Sequence, residues 1–142
     1  ENLPLSANPK KLCWGDSRIG NVLFEDFQVK SLLDWEMATI GDPLCDLAWG
    51  LTTDDVSSYG LNIEKLPGSI ANEEAIKFWE KNTGYSADNF FYYRILCLFK
   101  FSVIMIRVAK KLIHNEIMPL DSDFHVNNHV SNYLRQEFNE KN

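Results

Sequence analysis

Residues 13–21 read CWGDSRIGN, a Gly-Asp pair with a Trp ahead of it and an Asn five positions after the Asp. Taken alone, Asp16 and Asn21 describe a polar turn, because short Asp and Asn side chains bond their own backbone readily. The residues downstream change that reading. NVLF (21–24) and VKSLLDW (29–35) are short, apolar and β-compatible, and the polar EDFQ (25–28) separates them, which is the pattern of a β-hairpin. Asp34 lies thirteen residues after Asn21, at the far end of the second strand. A hairpin returns its two ends to one place, so Asp16, Asn21 and Asp34 are expected to converge at one end of the ribbon. Two carboxylates and an amide oxygen are hard ligands of the kind Mg²⁺ takes. That ion fills its other positions with water and with phosphate oxygens of a substrate.

Outward from the hairpin the chain becomes helical. Residues 1–10 read as a linker, punctuated by Pro4 and Asn8-Pro9, and KLC (11–13) as the end of a short strand. In GDP (41–43), Asp42 is an N-cap and Pro43 a first helical residue, opening a buried helix over LCDLAWGL (44–51). Residues 52–71 are rich in Ser, Thr, Asp and Gly and read as a loop or lid. Asn72 caps EEAIKFWEKNT, and Gly84 ends it. Asp88 caps the longest helix, 88–115, Pro119 breaks it, and Asp121 or Ser122 caps a last helix to 139. The predicted order is two strands followed by helices only. A two-stranded ribbon is not stable by itself, so it must lie on the helices.

Bulk properties narrow the function. The 142 residues are 45% hydrophobic and 24% charged, which fits one globular domain with a core of its own. A net charge of −6 argues against nucleic acid as a partner, since phosphate backbones call for clustered Lys and Arg. Cys13, Cys45 and Cys97 are odd in number and form no CxxC, so a disulfide framework is not expected and a reducing cytoplasm is. The first ten residues lack the basic-then-apolar pattern of a signal peptide. The most apolar run, ILCLFKFSVIMI (95–106), is twelve residues long and contains Lys100, too short for a bilayer, so no membrane association is expected. FFYYR (90–94) and the apolar face of 95–113 read as core. His125 and His129 are four apart on a predicted helix, the spacing of a metal pair, but only His114 is nearby and there is no Glu-x-x-His pattern, so a metal site is not expected. Asp54-Asp55 reads as an ordinary loop or as an acidic patch for a cationic substrate.

Three segments together carry a family resemblance. WGDSRIGN resembles the H-[G/R]-D-x-x-x-x-N catalytic loop of protein-kinase-like enzymes, LLDWE resembles their metal-binding Asp segment, and GDPLCDLAW completes the set. In this order and spacing they resemble the aminoglycoside phosphotransferase and choline kinase family. The likeness covers roughly residues 11–115, in a bacterial branch with Trp-Gly-Asp for His-Gly-Asp. The implied fold is mostly α within an α+β class: a protein-kinase-like C-lobe over 11–142. Its catalytic loop and β-ribbon would occupy 11–36 and its helical part 42–140.

The resemblance also implies roles. Asp16 would orient the acceptor hydroxyl and take its proton, Asn21 would be a second metal ligand, and Asp34 would bridge Mg²⁺ to the β- and γ-phosphates. Asp42 and Asp46 would tie the following helix to the loop, and Trp14 would fill the scaffold niche that a His fills elsewhere. Arg18 would contact phosphate or substrate, or pair with a nearby acid. Glu36 would line the substrate pocket or stand in solvent. The implied reaction moves the γ-phosphate of ATP or GTP to a hydroxyl of an aminoglycoside, an amino alcohol, a hydroxyacyl compound or another small molecule. The alternative is a binding or scaffolding module that keeps the fold without catalysis.

The chain also departs from the family pattern. The kinase fold has an N-lobe with a phosphate-covering loop and a nucleotide-holding Lys, and residues 1–12 contain neither. The chain is therefore expected to be a C-terminal portion, inactive in isolation and weak in nucleotide binding. It should bare apolar surface near Leu12, Leu23, Leu33 and Leu47, and self-associate or pair with its missing N-terminal part.

Overall fold

The computed structural model describes residues 8–139. Strand β1 (Lys11–Cys13) is followed by the hairpin strands β2 (Val22–Glu25) and β3 (Gln28–Leu32), and then by β4 (Thr39–Gly41). The hairpin turns on Asp26 and Phe27, both at positive φ (49° and 60°), the two-residue turn whose twist matches the flanking strands. β1 and β4 form a second antiparallel pair, with Lys11 opposite Gly41 and Cys13 opposite Thr39. The expected order of two strands and then helices is corrected accordingly. Each strand of the second pair has three residues, too few for alternation to show. This pair closes residues 14–38 into one excursion of the chain.

Four helices follow: α1 (Leu44–Ser57), α2 (Asn72–Thr83), α3 (Phe90–His114) and α4 (His129–Asn139). Gly84 ends α2 at φ 71°, as its sequence position predicts. Three expectations are corrected. Asn72 is the first helical residue of α2, behind Ala71, and its side chain donates to Asp55 instead of capping. α1 runs six residues beyond Leu51, through a stretch of weak helix formers, because Thr52, Thr53, Asp55 and Val56 are buried there and tertiary packing overrides propensity. α4 begins at His129, not near residue 122, because the buried Asn128 caps it, its Oδ1 accepting the Ser131 N–H at 3.0 Å. His125 is thereby left outside the helix and exposed.

The core lies between α1, α3 and α4. Val56, Leu98, Met105 and Val130 form one buried cluster, and Ala48, Trp49 and Cys97 form another, with Phe101 packed against both. Each fully buried Val or Leu contributes about 1.5–3 kcal/mol. Beside this apolar core runs an ion network. Asp55, 1% exposed, pairs with Arg94 and with Lys65, both at 2.6 Å, and accepts the Asn72 amide at 2.7 Å. Arg94 continues to Glu137 at 2.6 Å and to the Tyr133 hydroxyl at 2.9 Å. Asp55 is thus a helical, buried linchpin and not a loop acid. Burial opposes its ionisation, but bonds from Lys65, Arg94 and Asn72 outweigh that and hold its carboxyl below the ordinary value.

Residues 1–7 of the expected linker, and the expected helical end at residue 140, lie outside the described residues. Asn8 is buried, its Nδ2 donating to Asp42 Oδ1 at 3.0 Å and to the Ser86 carbonyl at 2.9 Å. All three cysteines are free thiols. Burial is the leading cause that raises the Cys45 thiol to about 11 and the Cys97 thiol to about 12. Among the described residues no helix is long and apolar enough to cross a membrane. Leu12, Leu23 and Leu33 are 63%, 53% and 47% exposed, whereas Leu47 is half-buried.

Candidate functional site

The site is built on the loop Trp14–Asn21, and α1 sets that loop's shape. Gly15 sits at φ 91°, and a Cβ there would meet the Met37 carbonyl oxygen at 2.3 Å, so the position admits only glycine. The Asp46 carboxylate accepts both consecutive N–H groups, Trp14 at 2.6 Å and Gly15 at 2.8 Å. Ser17 Oγ donates to the Asp46 carbonyl at 2.6 Å. Four residues along α1, Gly50 lets the loop approach, since a Cβ there would lie 2.7 Å from the Ser17 carbonyl oxygen. Asp42 is buried at the start of the same helix. Its Oδ1 accepts the Leu44 N–H at 2.9 Å and its Oδ2 the Tyr93 hydroxyl at 3.3 Å. Burial, and then the Asp42 charge, raise the Tyr93 phenol above its ordinary value.

These supports converge on Asp16. Its Oδ2 accepts Asn21 Nδ2 at 2.7 Å and Arg18 Nε at 3.0 Å, and its Oδ1 accepts Trp49 Nε1 at 2.7 Å. Asn21 closes a 3-10 turn (Ile19–Asn21), is buried, and also donates to the Asp16 carbonyl at 3.1 Å. Its amide nitrogen is thus turned toward Asp16, and its Oδ1 has no donor among the described residues. Arg18 pairs with Asp16 through Nε, its own side chain half exposed.

Asp34 arrives by way of the hairpin. Val22 pairs with Leu32, and the next residue, Leu33, donates its N–H to the Asn21 carbonyl at 2.8 Å. Asp34 therefore leaves the ribbon one residue past the level of Asn21. It is exposed, sits at φ 60°, and has no hydrogen-bond or ion-pair partner among the described residues. Left-handed backbone at a non-glycine residue costs about 1–3 kcal/mol and concentrates at functional sites. Trp14 fixes the approach from the other side: buried, it donates Nε1 to the Leu33 carbonyl at 2.8 Å, and its ring lies 6.0 Å from that of Trp35. Glu36 stands on the exposed turn beyond, and no bond among the described residues joins it to Asp16, Asn21 or Asp34.

Sequence reasoning did not find Trp49, Ser17 or Gly50. A signal existed for two of them: Trp49 and Gly50 lie three and four residues after Asp46, on the helix face that Asp46 turns to the loop. Among the described residues no three His, Cys, Asp or Glu side chains come together to hold a metal by themselves, and the His125–His129 pair gains no further ligand. Asn21 Oδ1 and the unpartnered Asp34 carboxylate are nonetheless hard oxygens, a donor set that fits Mg²⁺ when water and phosphate complete its shell. A cleft of about 690 Å³ opens beside the loop, between residues 18–20, the 50–57 face of α1, and residues 66–70.

A helical body carrying this loop on a small β-ribbon is the protein-kinase-like C-lobe. The crystal structure of a "putative aminoglycoside phosphotransferase" from Ralstonia eutropha shows the same fold, with TM-score 0.63 and 18% identity over 90% of this chain and 40% of that one. The sequence model of the phosphotransferase enzyme family matches residues 1–79, more than half of the chain, which belongs to that family. Among curated proteins, acyl-CoA dehydrogenase family member 11 of Gallus gallus is 34% identical over 128 residues, covering 80% of this chain and 16% of the relative. The Pongo abelii protein of that name is 32% identical over 115 residues, covering 73% and 15%. Acyl-CoA dehydrogenase family member 10 of Mus musculus is 31% identical over 111 residues, covering 70% and 10%. The chain thus spans no more than 16% of the length of these relatives.

Proposed function

We propose that this chain carries the catalytic half of a small-molecule phosphotransferase, which moves the γ-phosphate of ATP or GTP to an alcohol. The observation that carries the reading is the Asp16 carboxylate, held by Asn21, Trp49 and Arg18, with a strained and unpartnered Asp34 leaving the ribbon beside Asn21. Asp16 orients the acceptor hydroxyl and takes its proton as the oxygen attacks the γ-phosphorus. An O–P bond forms, the bond from the γ-phosphorus to the β–γ bridging oxygen breaks, and the nucleoside diphosphate leaves. Asn21 and Asp34 would hold Mg²⁺, whose contribution is to neutralise charge on the phosphates. Trp14, Asp42 and Asp46 keep the loop in shape. Arg18, already beside Asp16, is placed to meet a phosphate or the acceptor, and Glu36 to border the acceptor.

The partners we propose are a nucleotide and a small hydroxyl compound, in a cytoplasmic setting, with no role for nucleic acid or membrane. The chain alone would bind nucleotide weakly and associate through its bared leucines, with itself or with an N-terminal part. The test uses a longer polypeptide that contains this chain, given Mg-ATP and a panel of hydroxyl acceptors. Asp34→Ala should cut turnover by on the order of a thousandfold, and chelation of Mg²⁺ should do the same. Turnover that survives Asp34→Ala would sink the assignment. Absence of turnover in the intact parent would favour the scaffolding alternative.

A further inference from the structure

The cleft beside the loop has one wall that is not part of the catalytic loop or of α1. Leu66, Ser69 and Ile70 come from the segment between α1 and α2, and face Ile19, Gly20 and Leu51 across about 690 Å³. That segment is fastened by the residue just ahead of it. Lys65 is nearly buried, and its Nζ pairs with Asp54 Oδ2 at 2.7 Å and Asp55 Oδ1 at 2.6 Å. It also reaches Asn72 Oδ1 at 3.4 Å and lies 5.6 Å from the centre of the Tyr59 ring. Burial opposes the lysine's charge, but the two carboxylates outweigh it and raise its pKa. Asp55 is anchored in turn by Arg94, so the wall is tied to α1 and α3 at once.

Charge points the same way. Among the described residues the one acid that lines the cleft is Asp54, and Lys65 already occupies its carboxylate. Arg18, which also lines the cleft, is paired with Asp16. A polycationic acceptor therefore finds no unpaired carboxylate along the wall, whereas an uncharged alcohol finds Ile19, Leu51, Leu66 and Ile70.

We propose that Lys65 is a positioning residue that sets acceptor specificity: it ties the 66–70 wall to α1, across the cleft from the loop, and removes Asp54 as a docking point for cations. The proposal rests on reading the cleft as the acceptor subsite. It concerns binding, so it is tested without nucleotide or turnover.

The experiment titrates the chain with 1-hexanol and, separately, with kanamycin, and follows the backbone amide resonances of Gly20, Gly50 and Ser69. In the wild type, hexanol should shift all three saturably and kanamycin should leave them unmoved. That contrast needs no variant, and it fails if kanamycin binds there or hexanol does not. In Lys65→Met, with folding checked by circular dichroism, hexanol should weaken by about tenfold, the scale of a small misfit in an apolar pocket. Kanamycin should begin to shift Gly50 and Ser69. Adding Asp54→Asn to Lys65→Met should abolish the kanamycin response, and Lys65→Arg should restore wild-type behaviour. A folded Lys65→Met that treats both probes as the wild type does would overturn the proposal. Hexanol binding without phosphoryl transfer in the parent protein would instead remove the proposed reaction and leave this inference standing.

Discussion

The indole Nε1 of Trp49 donates to Asp16 Oδ1 at 2.7 Å, from 33 residues away. Helix α1 thereby grips the loop at three successive points of one face. Asp46 holds its backbone, Gly50 lets it approach, and Trp49 aims its carboxylate. The indole also packs in the core with Ala48 and Cys97, so loop geometry and core packing share one side chain.

Trp49→Phe keeps the ring in the core and removes only the donor. A hydrogen bond to a charged acceptor contributes about 1.5–3 kcal/mol. If the proposed phosphoryl transfer holds, a longer polypeptide carrying Trp49→Phe should lose about tenfold or more in kcat with its KM for nucleotide unchanged, because Asn21 and Arg18 still reach Asp16 Oδ2. A variant with kcat intact would show that the indole is core and nothing more.

Gly15→Ala should be far worse than its size suggests. The methyl meets the Met37 carbonyl oxygen at 2.3 Å in a left-handed backbone, so the loop or the turn after Asp34 must move. Loss of at least about 2 kcal/mol is expected, from strain and from disturbance of the bonds to Asp46. Urea unfolding of wild type and variant measures it, and equal midpoints would contradict the close approach.

How much of the fold and site is legible in the sequence depends on what each residue bonds to. The hairpin and the Asp16–Asn21 contact are legible because spacing along a hairpin is a local property, and Val22–Leu32 pairing brings the Asp34 backbone one residue past the level of Asn21. β1 is legible as KLC, but β4 and its pairing with β1 are not, because three-residue strands 28 positions apart carry no periodic signal. The C-terminal half of α1 is hidden for another reason. Thr52, Thr53 and Asp55 are poor helix formers that are buried by tertiary packing, and Asp55 is held by Lys65 and Arg94. A buried salt bridge between segments distant in sequence leaves no pattern in either segment.

That bridge gives stability a pH dependence with a definite sign. Asp55 titrates below its unfolded value of about 3.9, so its contribution is present above about pH 4 and is lost as pH falls through the folded value. At the other end, the Cys45 thiol is raised from 9.0 to about 11, so the folded form holds a proton that the unfolded chain gives up, and stability falls as pH rises from about 9 to 11. Denaturant unfolding across pH should show a plateau between these limits. Asp55→Asn should flatten the acid limb while lowering the plateau by about 3–5 kcal/mol, since it leaves Lys65 and Arg94 without their shared partner. Cys45→Ala should make the alkaline limb shallower, with Cys97 and Tyr93, both also raised, supplying the slope that remains. An acid limb of equal slope in Asp55→Asn would assign it to other carboxylates.

The bared leucines make the last case. Leu12, Leu23 and Leu33 are each about half exposed or more, on or beside the strands that carry the loop, with Phe24 and Val29 similarly exposed nearby. Apolar surface bared on this scale favours association in water. Light scattering on the chain alone should give a mass above that of the monomer, falling toward it in a Leu23→Glu, Val29→Glu double variant at unchanged circular dichroism. Leu47→Glu should behave differently: half-buried on α1, it should lower the melting temperature and leave the association in place. A strictly monomeric wild type, with no second polypeptide on mass spectrometry, would mean that the ribbon's apolar residues are tolerated in water and need no partner.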